Sequence, residues 1–430
     1  MAVNSPEKTM KAPSAGLPTT RQSRPPNRPS LIGADLASVV TSWGEPTYRA
    51  RQIAHWIYRE NVFDPLAMTG LPIRLRQRLA EEFEPFPLRL VDERTADHGL
   101  TTKALLELTD GSMIEAVLMR YDATSSGRAR RTVCVSSQVG CAVGCPFCAT
   151  GLLGLKRHLS ASEIVAQILY FARRTRGEGD LEPITNVVLM GEGEPLANFR
   201  NVRSAVELLN DPNAVGLGAR RVTISTSGLA PRIRELAELP HQVGLAVSLH
   251  APTDELRNRL VPINRKYPIA DVMEACQAYI RLTGRRVSFE YAMMDGVNDS
   301  LEQAESLAQL LKGMLAHVNL IPLNLVEGSP FLPTSRAKIN AFQRVLLERR
   351  VSCTVRATRG DDIDGACGQL RARVTEPTNR PVGQLVPGDS TRPRTSFRPI
   401  SDRVADQSPD RRHQSRTRPS RSRPERPLPK

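Results

Sequence analysis

The chain has 430 residues, 40 % of them hydrophobic, and a formal net charge of +14. That length holds two domains, or one large domain with appendages. No stretch approaches the roughly 20 apolar residues of a membrane span, and the N-terminus lacks the apolar core of a secretory signal, so a cytoplasmic protein that uses no membrane is expected. Seven cysteines in a chain of this length do not make a disulfide scaffold.

The charge is unevenly spread. Residues 1–30 carry +4 and residues 378–430 carry +8, which leaves +2 for the body, and these two ends hold 15 of the 33 prolines. Segments so polar and Pro-rich cannot bury enough apolar surface to fold. Residues 1–30 and 377–430 are therefore expected to be disordered tails. The stretch RTRPSRSRPERP in the second suits either non-specific contact with RNA phosphates or a merely solvated end.

In chain order, residues 31–85 read as a small helical accessory domain. EPTYRARQIAHWIYRE places Ile53, Trp56 and Ile57 on one helical face, and LPIRLRQRLAEEF follows as a second helix after Pro72. Arg49, Arg51, Arg74, Arg76 and Arg78 are its candidates for contact with an RNA backbone; the alternative is a solvated helical face. Residues 86–125 form a β-rich connecting segment with the runs LRLVDE, TKALLEL and SMIEAVLM and a turn at Asp110-Gly111. This segment is expected to be a hairpin or small sheet feeding the catalytic domain.

Residues 126–376 change rhythm. The strand candidates TVCVSS, ITNVVLMG, RVTISTSG, VGLAVSLHA, VSFEYAMM, HVNLIPLN and VSCTVRA alternate with amphipathic helices such as SASEIVAQILYFARR and LEQAESLAQLLKGML. Each of these helices follows a capping serine, Ser160 or Ser162 and Ser300. Strand–helix alternation implies a parallel sheet with helical crossovers, and this many units can close or partly close a barrel. Barrel enzymes carry their sites on the loops after the strands. The polar strings GEGEP, STSG, SLHA, LNLVEGSP and GDDIDGACGQL all fall there.

The first of those loops holds Cys141, Cys145 and Cys148 in CAVGCPFC, a C-x3-C-x2-C spacing. Thiolates ligate iron–sulfur clusters, and a four-iron cube normally takes four. Three close together leave one iron open to chelate the amino and carboxylate groups of S-adenosylmethionine (SAM). Zinc is the main competitor, but it prefers C-x2-C pairs and a fourth Cys or His, and no second pair exists here. This spacing resembles that of radical-SAM enzymes, which implies a [4Fe-4S] cluster bound by Cys141, Cys145 and Cys148 with SAM as second cofactor. Cys276 and Cys353 fall in predicted core positions.

Longer strings narrow the likeness. CVSSQVGC, SLHAP, NLIPLN, TRGDDIDGACGQL, EPTYRARQIAHWIY and MTGLP together resemble the bacterial dual-specificity 23S rRNA/tRNA adenine-C2 methyltransferases from about Gly44 to Leu370. The resemblance implies an α/β radical-SAM (partial) βα barrel with a helical accessory domain and a short β extension. It also implies methylation of adenine C2 in 23S rRNA, with tRNA as a second substrate. Each methyl consumes two SAM molecules. One methylates a cysteine; the other yields a 5′-deoxyadenosyl radical that takes hydrogen from that S-methyl group. The resulting carbon radical adds to C2. A base takes the C2 proton, and a second cysteine releases the product as a disulfide forms.

On this chain the likeness assigns Cys367 as the methyl carrier, Cys134 as the resolving cysteine and Glu115 as the proton acceptor. It assigns Gly193, Glu194, Ser225, Ser248, Leu249, His250 and Asn324 to SAM. The family usually has GMGEP where this chain has Glu192 in GEGEP, which sets an extra carboxylate beside the cofactor with Gly193 and Glu194 intact; the sequence leaves its effect on SAM affinity open. A flavodoxin- or ferredoxin-like electron donor is implied, and a monomer is expected because no separate apolar interface segment is visible. Two rivals stay open: the C8-methylating rRNA enzymes that protect ribosomes from antibiotics, and a non-catalytic RNA-binding protein with structural zinc. The complete TYRARQIAHWIY segment and MTGLP look more like the C2 enzymes.

Overall fold

The structure is a computed structural model that describes residues 28–122, 129–179, 182–356 and 369–371. Cys367 and nearly all of both basic tails lie outside the described residues. Three helices come first: α1 (Leu36–Ser42), α2 (Tyr48–Tyr58) and α3 (Ile73–Glu82). Their apolar spacing buries Ile53, Ile57, Leu75 and Leu79 in the same apolar core that holds Leu106, Ile164 and Val187. The helical segment is therefore fused to the main sheet and its helices by shared core. Arg59 adds a polar tie through its Nη1, which donates to Val215 O at 3.0 Å.

Three strands come next, β1 (Leu88–Ala96), β2 (Thr101–Leu108) and β3 (Met113–Tyr121), paired antiparallel in sequence. They are not a separate small sheet. β3 pairs antiparallel with β4 (Arg130–Cys134), setting Val117 opposite Cys134, and the meander extends the main sheet. After β4, a short hairpin of β5 (Gln138–Gly140) and β6 (Leu155–His158) brackets the cysteine loop and a single helical turn, α4 (Ala149–Leu152).

The βα rhythm then runs through α5 (Ala161–Gly177), β7 (Asn186–Leu189), α6 (Phe199–Asn210), β8 (Val222–Thr226), α7 (Ala230–Ala237) and β9 (Gly244–Ser248). It continues through α8 (Asp254–Leu260), α9 (Ile269–Thr283), β10 (Val287–Met293), α10 (Leu301–Leu310), β11 (Ala316–Pro322), α11 (Arg336–Glu348) and β12 (Cys353–Val355). Both expected capping serines are in place. Ser160 and Ser300 each accept the backbone N–H three residues on, and Glu163 and Gln303 bond back, so both helix starts satisfy their free donors reciprocally.

Among the described residues, ten strands form one sheet in the order β1-β2-β3-β4-β7-β8-β9-β10-β11-β12. From β4 onward every pairing is parallel and each strand adds beside its predecessor without reversal. That is barrel winding rather than a doubly wound sheet, because a doubly wound sheet reverses its strand order at a switch point. Phe289, Tyr291, Val318 and Leu320 are fully buried, as strands covered on both faces require. Cys276 and Cys353 are buried in this core. No helix of the described residues is long and apolar enough to cross a membrane.

Candidate active site

A cavity of about 370 Å³ opens at the carboxyl ends of the parallel strands. Its wall draws on the end of every one of them, from Cys134 after β4 through Ser227 after β8 to Arg356 after β12. Cys141, Cys145 and Cys148 line it together.

The cysteine loop is closed at its base by the Cys141 N–H, which donates to Gly154 O at 3.0 Å. Gly140 makes this closure possible. It has φ +81°, and a Cβ there would stand 1.8 Å from Gly154 O. Within the loop the Cys148 N–H donates to Cys145 O at 3.1 Å, and Cys148 caps α4. Burial pushes the Cys141 thiol up to about 12, and it raises Cys145 well above the usual range, with the neighbouring thiols adding to the effect. These groups are costly as free thiolates and are stabilised as such by a metal centre. Among the described residues, no three His, Cys, Asp or Glu side chains are placed to hold a single ion. Three thiols on the wall of one large cavity fit a cluster, in which each thiolate binds a different iron, better than a zinc ion that draws its ligands to a point.

His250 supports the loop from the opposite side. It sits just past β9 with φ +58°, a left-handed conformation rare outside glycine and asparagine. Its Nδ1 accepts the Ala292 N–H at 3.0 Å and its carbonyl accepts Asn298 Nδ2 at 2.8 Å. Its ring meets Phe147 of the cysteine loop edge-on, with centroids 4.9 Å apart. Burial, helped by Arg257, depresses it to about 3, so the ring is neutral. Because Nδ1 accepts, the proton sits on Nε2.

Glu194 lines the cavity, and its carboxylate is firmly placed. Oε2 accepts Ser227 N at 2.6 Å and Ser227 Oγ at 2.7 Å, while Oε1 accepts Leu196 N at 2.9 Å. Burial raises its pKa. Gly193, at φ +99°, lies so close to Gln138 that a Cβ would stand 2.5 Å from that side chain. Gln138 Oε1 in turn accepts the Glu194 N–H at 2.7 Å. Ser225, Ser248 and Asn324 also line the cavity. Leu249 does not. The strand pleat turns its side chain into the apolar core, and its carbonyl is taken by Arg257, so it offers the cavity no side-chain contact.

Cys134 lines the cavity beside Val117 and Met119. Glu115 lies on the same face of β3, one pleat step below Val117, and does not line the cavity. Both it and its partner Lys103 keep only 2 % of their side-chain surface exposed, and Lys103 Nζ lies 3.0 Å from Glu115 Oε2. The other oxygen, Oε1, accepts the Arg371 N–H at 2.8 Å.

Glu192 is turned away from the cofactor space, contrary to the sequence expectation. It is buried and does not line the cavity. Its Oε1 accepts the Glu115 N–H at 3.2 Å, and its Oε2 pairs with Arg371 Nη1 at 2.7 Å. Ser136 Oγ donates to Glu115 O at 2.6 Å and accepts the Glu192 N–H at 3.0 Å. Among the described residues, Lys103, Glu115, Glu192 and Arg371 thus form a buried network of two positive and two negative side chains. It ties β2 and β3 to the segment four residues beyond Cys367.

Lys103, Glu290, Arg356 and Arg257 carry charge in or beneath the site without any sequence motif to mark them. Glu290 had one signal, as the charged residue of the otherwise uncharged strand run VSFEYAMM, whereas Lys103 shares TTKALLEL with Glu107 and has none. Arg257 is fully buried. It donates to Ser227 O at 2.6 Å, Asn264 Oδ1 at 2.6 Å, Leu249 O at 3.1 Å and Ser248 O at 3.2 Å, so it fastens the ends of β8 and β9 under the cavity.

In the accessory segment, three of the five candidate arginines are engaged locally. Arg49 donates to Gln52 Oε1 and Arg76 to Leu66 O, both at 2.7 Å. Arg78 pairs with Glu82 at 2.7 Å and lies over the Trp43 ring. Arg51 and Arg74 are exposed.

Comparison with known proteins agrees with this geometry. Residues 135–310 match the Radical SAM superfamily, and residues 31–84 match the ribosomal RNA large subunit methyltransferase N-terminal domain. A probable dual-specificity RNA methyltransferase RlmN of Roseiflexus castenholzii is 45 % identical over 400 residues, 83 % of this chain and 99 % of that protein. One of the same description from Moorella thermoacetica is 47 % identical over 342 residues, 79 % of this chain and 96 % of that protein. The crystal structure of a radical SAM methyltransferase from Sphaerobacter thermophilus is 50 % identical and superposes with a TM-score of 0.76 over 79 % of this chain and 98 % of that one. The chain belongs to the dual-specificity RNA methyltransferase family of the radical SAM superfamily.

Proposed function

We infer that this protein methylates C2 of an adenine in 23S rRNA, and of an adenine in tRNA, through a methyl-cysteine intermediate. The observation that carries the reading is the placement of Cys134 on the wall of the cavity that also holds Cys141, Cys145, Cys148 and Glu194. A base modified at C2 must leave its stack and enter such a pocket.

Cys141, Cys145 and Cys148 would hold a [4Fe-4S] cluster. When bound, the cluster and SAM supply the 5′-deoxyadenosyl radical that an electron-poor ring carbon requires, since such a carbon does not attack a methyl cation equivalent. The chain's own residues do the rest. Gly193, Glu194, Ser225, Ser248, His250 and Asn324 orient SAM, the carboxylate of Glu194 serving its ammonium group. Cys367 carries the methyl group to the base, Glu115 receives the C2 proton, and Cys134 attacks the alkylated Cys367 sulfur to free the product.

The accessory helices of residues 31–85 contact the RNA backbone, with exposed Arg51 and Arg74 the better placed of the candidate arginines. A flavodoxin- or ferredoxin-like protein supplies the electron, the protein works as a monomer, and it acts in the cytoplasm where its RNAs are made.

The test is anaerobic incubation of the reconstituted protein with SAM bearing a deuterated methyl group and protein-free rRNA, followed by digestion to nucleosides and mass analysis. Labelled 2-methyladenosine is expected. The 8-methyl isomer would move the protein to the C8-methylating class, and a colourless preparation with zinc in place of iron would end the enzymatic reading.

A further inference from the structure

We propose that Lys103 carries the proton between the adenine being methylated and Glu115, so that the base of this site is a Lys103–Glu115 pair. The proposal rests on the reading of Glu115 as proton acceptor.

The pleat places the groups. Lys103 on β2 stands opposite Val117 on β3, and Val117 stands opposite Cys134 on β4. All three line the cavity. Glu115 lies one step deeper on the same face and does not line the cavity. Arg371 N covers one carboxylate oxygen at 2.8 Å and Lys103 Nζ the other at 3.0 Å. Among the described residues, Lys103 is the cavity-lining side chain that bonds this carboxylate. A general base must come within about 2.6–3.2 Å of the proton it takes, or reach it through one intermediary. At that distance the Glu115 carboxylate meets the Lys103 amine, and Lys103 is itself part of the cavity wall.

A buried lysine is suited to the task. Its ammonium is a compact donor with three rotatable N–H groups, one of which already meets Glu115 Oε2 at 3.0 Å. Passing one proton from Nζ to Glu115 Oε2 turns an ammonium–carboxylate pair into an amine and a carboxylic acid, with no change in net charge. The freed lone pair on Nζ then takes the proton from C2. The electrons of the C2–H bond stay in the ring, Lys103 ends as ammonium, and the proton ends on Glu115. The register also sets this transfer on the same wall as Cys134, next to the thiol that must act immediately afterwards.

A purely structural Lys103 would hold the carboxylate by charge and hydrogen bond alone. Arginine would do that equally well, but it keeps its proton at any pH the protein tolerates. The experiment compares K103R, K103M and E115Q with the parent, using the anaerobically reconstituted full chain, SAM and a labelled RNA fragment containing the target adenine. It reads 2-methyladenosine formed per 5′-deoxyadenosine released, which corrects for cluster loading, and covalent protein–RNA adduct on a denaturing gel, with C134A as the adduct standard. K103R and K103M are both expected to lower the product ratio by about 100-fold, within the range general-base removal spans, and to accumulate adduct at least tenfold over the parent. A K103R product ratio within about threefold of the parent would overturn the proposal and leave Lys103 a positioning residue. E115Q with a parental ratio and no adduct would overturn the reading of Glu115 instead. If K103M does not fold, K103R decides alone.

Discussion

Replacing Glu192 by methionine gives the sharpest test of the charge network behind the site. Glu192 and Arg371 are both buried, and they meet at 2.7 Å. In E192M, Arg371 keeps the Met113 carbonyl, which its Nη1 reaches at 3.2 Å, but loses this counter-charge. Breaking a buried ion pair by removing one partner typically costs about 3–5 kcal/mol, because the remaining charge is left desolvated. Glu115 also loses the acceptor for its backbone N–H, worth about a further 1 kcal/mol. One effect pulls the other way, because the retained Met113 carbonyl satisfies part of the guanidinium. A net loss of about 2–3 kcal/mol is therefore expected. Removing both charges in E192M/R371M is expected to recover most of it, because apolar replacement of a buried pair is close to neutral. Urea unfolding of the cluster-free protein, run as a double-mutant cycle, measures both numbers. A loss below about 0.5 kcal/mol for E192M, or no coupling between the two substitutions, would refute the view that this chain uses its unusual glutamate to anchor the end of the catalytic segment.

Other predictions concern the loop, the histidine and the tail. In G140A the new Cβ meets Gly154 O and φ +81° becomes strained, so the loop base opens; iron per chain should fall below half of the parent's, and undiminished iron would show that the closure is dispensable. His250, held at about 3, favours the neutral form when folded, while the unfolded chain binds a proton below about 6.5. Its contribution is thus full above about 6.5 and is lost as pH falls toward about 3. Asparagine tolerates the same backbone and can accept the Ala292 N–H, so the stability gap between parent and H250N should narrow by about 1.4 kcal/mol per pH unit between pH 6.5 and 4.5, and a gap independent of pH would contradict the assigned burial cost. Deleting residues 378–430 should weaken RNA binding mainly at low salt and flatten its salt dependence; an unchanged slope would mark that segment as a solvated end.

Much of this molecule could be read along the chain. The three-cysteine loop declares its chemistry through spacing alone, because the ligands of one cluster must lie within a few residues if a single loop is to present them. The helices at Ser160 and Ser300 declare their starts, because capping is a contact over three residues. The run of parallel strands follows from apolar stretches alternating with amphipathic ones, and the loops after those strands hold the site because barrel winding brings their ends together. Even the pairing of Cys134 with the cluster cysteines follows from one strand leading into one loop.

Distance along the chain hid the rest. Nothing local distinguishes the Lys103 of TTKALLEL from a solvated strand lysine. Burial, and a carboxylate brought opposite by strand register, decide what it is. The meander of β1, β2 and β3 could be a free hairpin until its last strand finds β4. Leu249 shares a tripeptide with two cavity residues, yet the pleat sends its side chain the other way. Glu192 shows the difference most plainly. By position in GEGEP it belongs beside the cofactor. In three dimensions its carboxylate meets Glu115 and Arg371, which the chain places far on either side of it. Short-range spacing determines which chemistry this protein can host. Long-range packing in a low-dielectric interior, where a charge must find its opposite, decides which charged groups stand together to carry it out.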